Sequence, residues 1–184
     1  MPQASNHLTF EDRSMTRIIA TAMLACVLAA CSEKPAAPVA PVSAANGATP
    51  VSAVRPADIP EPLAITQDCS VDLVNDAVAT ELTAVADKTQ VRLSGWAADS
   101  AAGTLPKAVY LEIGGVKKVY APVMLGVARP DVATHFNKPA LATAGWQVSV
   151  DMRTLQAGHY ELRLIQLGDT ANTICDARKA LTLN

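Results

Sequence analysis

The chain has 184 residues, half of them apolar, and sets 15 basic against 17 acidic side chains for a net charge of −2. That near-balance, with no basic stripe, excludes a nucleic-acid or polyanion binder. Only 4% of residues are aromatic, which argues against an extended sugar-stacking platform.

Residues Met1 to Ser14 fit no export pattern, because Glu11 and Asp12 stand where a basic segment belongs. Met15-Thr16-Arg17 reads as the better start. The apolar run from Ile18 to Ala30 is shorter than the roughly 18–20 residues a membrane-spanning helix needs. It ends in small residues, so it reads as a secretory signal peptide over residues 1–30, not as an anchor or a buried helix. The exit, Leu28-Ala29-Ala30-Cys31, resembles the lipobox of bacterial lipoproteins. The resemblance implies cleavage before Cys31, diacylglycerol on its thiol, and a further acyl chain such as palmitate on the new amino terminus. Two or more acyl chains hold a protein stably at a bilayer. Ser32 follows Cys31 where an inner-membrane lipoprotein would carry Asp, which implies sorting to the outer membrane. The domain would then face the periplasm or the cell surface.

Residues 31–64 read as a lipidated cysteine and a tether rich in Ala, Pro, Val and Ser. Pro35, Pro38, Pro41, Pro50, Pro56, Pro60 and Pro62 disfavour helix and sheet alike, and no aromatic cluster is present to be buried. Such a spacer gives reach.

Residues 65–184 make one domain's length of chain. Its apolar residues alternate with period two. Val91, Leu93, Gly95 and Ala97 form one set, Val109, Leu111 and Ile113 another, and Val119, Ala121, Val123 and Leu125 a third. Further sets follow at Trp146–Met152, Tyr160–Leu164 and Cys175–Leu183, with weaker candidates at Val71–Val74 and Val78–Val85. Gly114-Gly115, Ala157-Gly158 and Asp169–Asn172 punctuate them as turns. The pattern predicts an all-β antiparallel β-sandwich, Ig-like or jelly-roll-like, of seven to eight strands. One short helix is predicted near 130–136, where Pro130 suits a first helical position and Val132 and Phe136 share a face.

Of the four cysteines, Cys26 leaves with the signal peptide and Cys31 takes the lipid. Cys69 and Cys175 remain near the ends of the domain. In an exported protein they read as a disulfide, the alternative being two independent buried thiols.

Four motifs carry a second resemblance. Ser94-Gly95-Trp96-Ala97-Ala98-Asp99, Arg129-Pro130-Asp131-Val132-Ala133, Gly145-Trp146 and Leu155-Gln156-Ala157-Gly158-His159-Tyr160, in that order, resemble a poorly characterised sandwich domain of bacterial envelope proteins. It occurs free-standing and appended to glycosyltransferase-like membrane proteins. The resemblance covers about Cys69 to Asn184. It implies fold and compartment, and it transfers no catalytic residue.

Trp96, Asp99, Arg129, Asp131 and Trp146 are therefore the candidates for ligand contact or loop organisation. The structural alternative gives the tryptophans to the core or rim and pairs Arg129 or Asp131 with backbone or with Asp99. Asp131 and His135 share a helix face and would need Asp99 or His159 to make a metal or hydrolytic site. Opposite charges at the two helix ends explain that pair without chemistry. There is no nucleophile elbow, HExxH, Walker A or dinucleotide fingerprint. The sequence thus predicts a non-catalytic module with no cofactor and no metal. A protein partner in the envelope comes first. A glycan bound through Tyr110, Tyr120 or Trp96 comes second, and a hydrolase third.

Overall fold

The computed structural model describes residues 47–184. Cys31, the signal segment and the tether up to residue 46 lie outside them. The described chain forms β1 (Thr49–Pro50), β2 (Ala64–Thr66), β3 (Cys69–Val74), β4 (Ala77–Val78), β5 (Leu82–Val85), β6 (Val91–Ala97), β7 (Ala108–Gly114), β8 (Lys118–Pro122) and β9 (Met124–Val127). Then come helix α1 (Pro130–Phe136), a 3₁₀ turn (Pro139–Thr143), β10 (Gly145–Asp151), β11 (Gly158–Leu167) and β12 (Asn172–Leu183).

Two six-stranded sheets face each other, as the alternation predicts. The first has the order β1-β10-β6-β3-β4, with β9 also on β10. The second has the order β2-β12-β11-β7-β8, with β5 also on β12. Between them lies one core. Trp146, Leu93, Leu111, Ile113, Leu162, Leu164 and Leu181 are all essentially inaccessible to solvent. Each such side chain contributes about 1.5–3 kcal/mol by leaving water.

The architecture departs from the expectation in three ways. The sandwich is not purely antiparallel: β1 runs parallel to β10, and β2 and β5 run parallel to β12. The predicted strand through Val119–Leu125 is two strands in different sheets. Pro122 has no N–H to continue the ladder, and the chain crosses from one sheet to the other at Val123. Likewise Val78–Val85 divides into β4 in the first sheet and β5 in the second, leaving Val78 exposed.

A larger departure concerns the tether, whose expected end at residue 64 is too late. Residues 49–64 belong to the fold. The chain pairs with β10 at Thr49 and Pro50, and then bridges Ser52 to Tyr120 on β8. It runs across the outer face of the second sheet and reaches the opposite edge as β2, beside β12. Ile59 is buried there with Tyr120 and Ile165, packed by Leu63, Tyr110, Leu167 and Ile174. We refer to residues 51–63 as the strap.

Helix α1 follows the prediction. Pro130 opens it, and Asn137 closes it in the left-handed conformation, its N–H donating to the carbonyls of Ala133 and Thr134. Val132, Ala133 and Phe136 pack with Leu141 and Ala144 against Trp96 and Ala98 at the end of β6.

Candidate functional site

Three of the four sequence motifs meet where β3, β6 and β10 lie side by side; the fourth, Leu155–Tyr160, follows the far end of β10 and opens β11 in the second sheet. Gly95 pairs with Trp146 on one flank and Val71 on the other. A Cβ at Gly95 would stand 1.9 Å from the Ser70 carbonyl oxygen, so only glycine fits, and the Trp146 ring lies over it. Trp146 is a core residue. Trp96 points to the other face of the sheet and meets Phe136 edge-on at 5.4 Å, fixing α1. Gly145 plays the same part as Gly95: a Cβ there would press on Val127 and on Cγ of Arg129.

Arg129 is the centre of a polar cluster. Its Nε and Nη2 donate to the two carboxylate oxygens of Asp131 at 2.9 and 2.7 Å, and its Nη1 donates to Asp72 at 2.6 Å. The Ser70 hydroxyl donates to the other oxygen of Asp72 at 2.6 Å. Of the alternatives offered for Arg129 and Asp131, pairing with Asp99 is not made; Arg129 bonds Asp131 itself and Asp72 on β3. These bonds hold the Asp131 carboxyl down at about 2, chiefly through the Arg129 guanidinium. Asp131 is exposed and turned to Arg129, while His135 is exposed and rests its ring on Phe136. Among the described residues no three His, Cys, Asp or Glu side chains come together to hold a metal.

Asp99 organises its own loop. Its carbonyl accepts from Gly103 and Thr104, and its side chain accepts from the Ala102 N–H at 2.8 Å. That loop forms one wall of a cleft of about 250 Å³. The 168–173 turn and β2 form the other wall, and Asp68 and Gln166 lie at its base. Gln166 is 4% exposed and donates to the Asp68 carbonyl at 3.0 Å. The Asp68 carboxylate receives the N–H and hydroxyl of Ser100 at 2.9 and 2.8 Å. Asp169 at the rim pairs with Lys107.

Next to Asp68 the predicted disulfide is formed: Cys69 on β3 joins Cys175 on β12, with Cα atoms 6.1 Å apart. It staples the two sheets along one side of the sandwich. The strands on that side are short, namely β2, β4 and β5, and each carries an exposed apolar side chain. Ile65 is 82% exposed, Val78 78% and Leu82 52%. The alternation pattern gave no sign of this edge, because it offered Val78–Val85 only as one weak strand and Ile65 only as the first residue of the domain. Asp68 and Gln166 likewise belong to no motif; only their closeness to Cys69 and to β11 brings them together.

The tyrosines offered for stacking are committed elsewhere. Tyr110 donates to Asp58 at 2.7 Å and Tyr120 is buried beneath the strap. No helix among the described residues is long and apolar enough to cross a membrane. No protein-family model matches the chain, and no curated protein or solved structure is significantly similar to it.

Proposed function

We propose that the protein is an envelope lipoprotein, lipidated at Cys31 and sorted to the outer membrane, whose sandwich domain is a non-catalytic interaction module for another envelope protein. The anchor reading is supported by the lipobox-like Leu28-Ala29-Ala30-Cys31 and by a disulfide, which persists in oxidising compartments such as the periplasm. One observation carries the partner reading: three short edge strands on the stapled side present Ile65, Val78 and Leu82 to solvent. Edge strands with unpaired backbone groups and apolar side chains are where an extended segment of another chain adds. The neighbouring cleft would accommodate a side chain of that segment.

A photo-crosslinking side chain placed at Ile65 or Val78 of the lipidated protein tests this in intact envelopes. A single dominant adduct is expected. It should vanish in the Leu82→Lys background and be absent when the probe sits at Lys117 on the far hairpin. Failure to form any adduct at either edge position overturns the partner reading. Incorporation of labelled fatty acid, lost in Cys31→Ser, tests the anchor separately.

A further inference from the structure

The cleft lies at the open end of the sandwich, where the row of core side chains gives out. Alternation along β11 puts Leu162, Leu164 and Gln166 on one face. The two leucines are buried in the core, and Gln166 is the last of the row before the chain turns at Gly168. Thr173 on β12 pairs with Gln166, and Thr66 on β2 is in register with Cys175 and Leu164, so both threonines share that inner side. From the first sheet come Asp68, just before β3, and Asp99, just after β6. The bond from Gln166 to the Asp68 carbonyl joins the two sheets across the floor.

Three carboxylates line this cleft, Asp68, Asp99 and Asp169, and no lysine or arginine does. Asp169 is paired with Lys107. Asp68 and Asp99 are half-buried and form no ion pair among the described residues. Their partners are the uncharged donors of Ser100 and Ala102. Nearby, Arg178 is bonded to Gln67, and Lys138, whose stem lies against Gly103, pairs with neither carboxylate. Gln166 is an independent sign of a ligand. It is 4% exposed, its Nε2 is committed to the Asp68 carbonyl, and its Oε1 accepts no hydrogen bond among the described residues. A largely buried amide oxygen without a donor costs free energy until one reaches it.

We infer that the cleft receives a basic side chain, lysine or arginine, from the extended segment that adds to the β2 edge. This names the chemistry of the partner and rests on the edge-strand reading above. β2 is hydrogen-bonded on one side only, to β12. A segment beside it turns every second side chain to the inner side, where Thr66 and the cleft lie. Leu105, which is 38% exposed, and Pro106 cover the aliphatic stem. The cationic head meets Asp68 and Asp99 and donates to Gln166 Oε1. An acidic side chain is repelled by the carboxylates, and an apolar one leaves the Gln166 oxygen unbonded.

The isotope-labelled protein, purified from envelopes in detergent, is titrated with acetylated, amidated hexapeptides of alternating Val and Thr that carry one central Lys, Arg, Gln or Glu. The Lys and Arg peptides are expected to shift the Gln166 side-chain amide and the Ser100 and Ala102 backbone resonances. They should bind at least about five-fold more tightly than the Gln peptide at low salt. That preference should fade in about 0.5 M salt, and the Glu peptide should bind weakest. Asp99→Asn keeps an acceptor for the Ala102 N–H while removing the charge, and it should lower Lys binding towards that of the Gln peptide. Equal binding of the Lys, Arg and Gln peptides, or no shift at Gln166 with either basic peptide, overturns the inference. The Ile65 adduct reports the edge contact separately. If it forms while no basic preference is seen, the partner reading stands and the basic side chain falls.

Discussion

At the scale of single residues, glycine and arginine set the geometry that joins three of the motifs. Gly95 has the Ser70 backbone against it, and backbone in mid-sheet cannot move aside as the end of a side chain can. Gly95→Ala is therefore expected to cost roughly 3 kcal/mol or more, through overpacking and broken pairing with β3. Urea unfolding monitored by circular dichroism measures it, and a loss below 1 kcal/mol would refute the contact. Asp131 supplies a pH signal of definite sign. Its carboxyl sits at about 2 in the folded chain, below its ordinary value near 3.9, because Arg129 bonds the ionised form. The resulting stabilisation is present above about pH 4 and is lost as pH falls from there through about 2. The carboxylate is largely exposed, so solvent screens the pair and the effect is local. The Trp96 indole resonance, which reports the Phe136 contact, should shift over that range, and Asp131→Asn should abolish the transition.

At the scale of elements, helix and strap contrast in how each shows in the sequence. The helix was legible because its signals are local: a proline at its start and apolar residues four apart. The strap was not, because proline-rich composition reports only that regular structure is disfavoured. It cannot report that Ile59 finds a hydrophobic seat supplied by β8 and β11, far along the chain. Ile59→Ala should destabilise by about 2–4 kcal/mol if the strap is part of the cooperative fold. Loss of strap amide protection alone, with global stability unchanged, would mark it as a separately opening unit. The same contact has an alkaline signature. The Asp58 carboxylate beside it raises the Tyr110 phenol above its ordinary value near 10. That contribution is complete below pH 10 and disappears as pH rises through the raised value. Phenolate absorbance should show Tyr110 ionising at lower pH in Asp58→Asn than in the parent chain.

At the scale of the whole molecule, the sandwich closes by different means on its two sides. On one, the chain itself crosses between sheets at Val123 and again where β1 gives way to the Ser52 bridge. On the other, the link from β4 to β5 is assisted by the Cys69–Cys175 bond. Alternation identified the long central strands and the core, since each buries a full row of side chains. It could not assign short edge segments to sheets, because two to four residues hold too little pattern to fix a partner. The cysteines were legible as a pair from count and compartment alone, and the structure explains their positions. The bond spans 106 residues and stands where β2 and β5 are held only by parallel ladders. A loop of that length stabilises by up to about 4–5 kcal/mol in the chain-entropy model, a large share of a typical domain's 5–15 kcal/mol. Replacing both cysteines by serine should therefore lower the urea midpoint substantially. It should also redistribute protection: amides of Ala64–Thr66, whose partner strand contains Cys175, and of Cys69–Val74 should exchange well before those of β6 and β10. A uniform loss across all strands would show instead that the bond acts only on the unfolded chain. An edge that loosens selectively ties the disulfide to the surface through which the domain is proposed to meet its partner. The photo-crosslinked adduct at Ile65 should then weaken in the same variant.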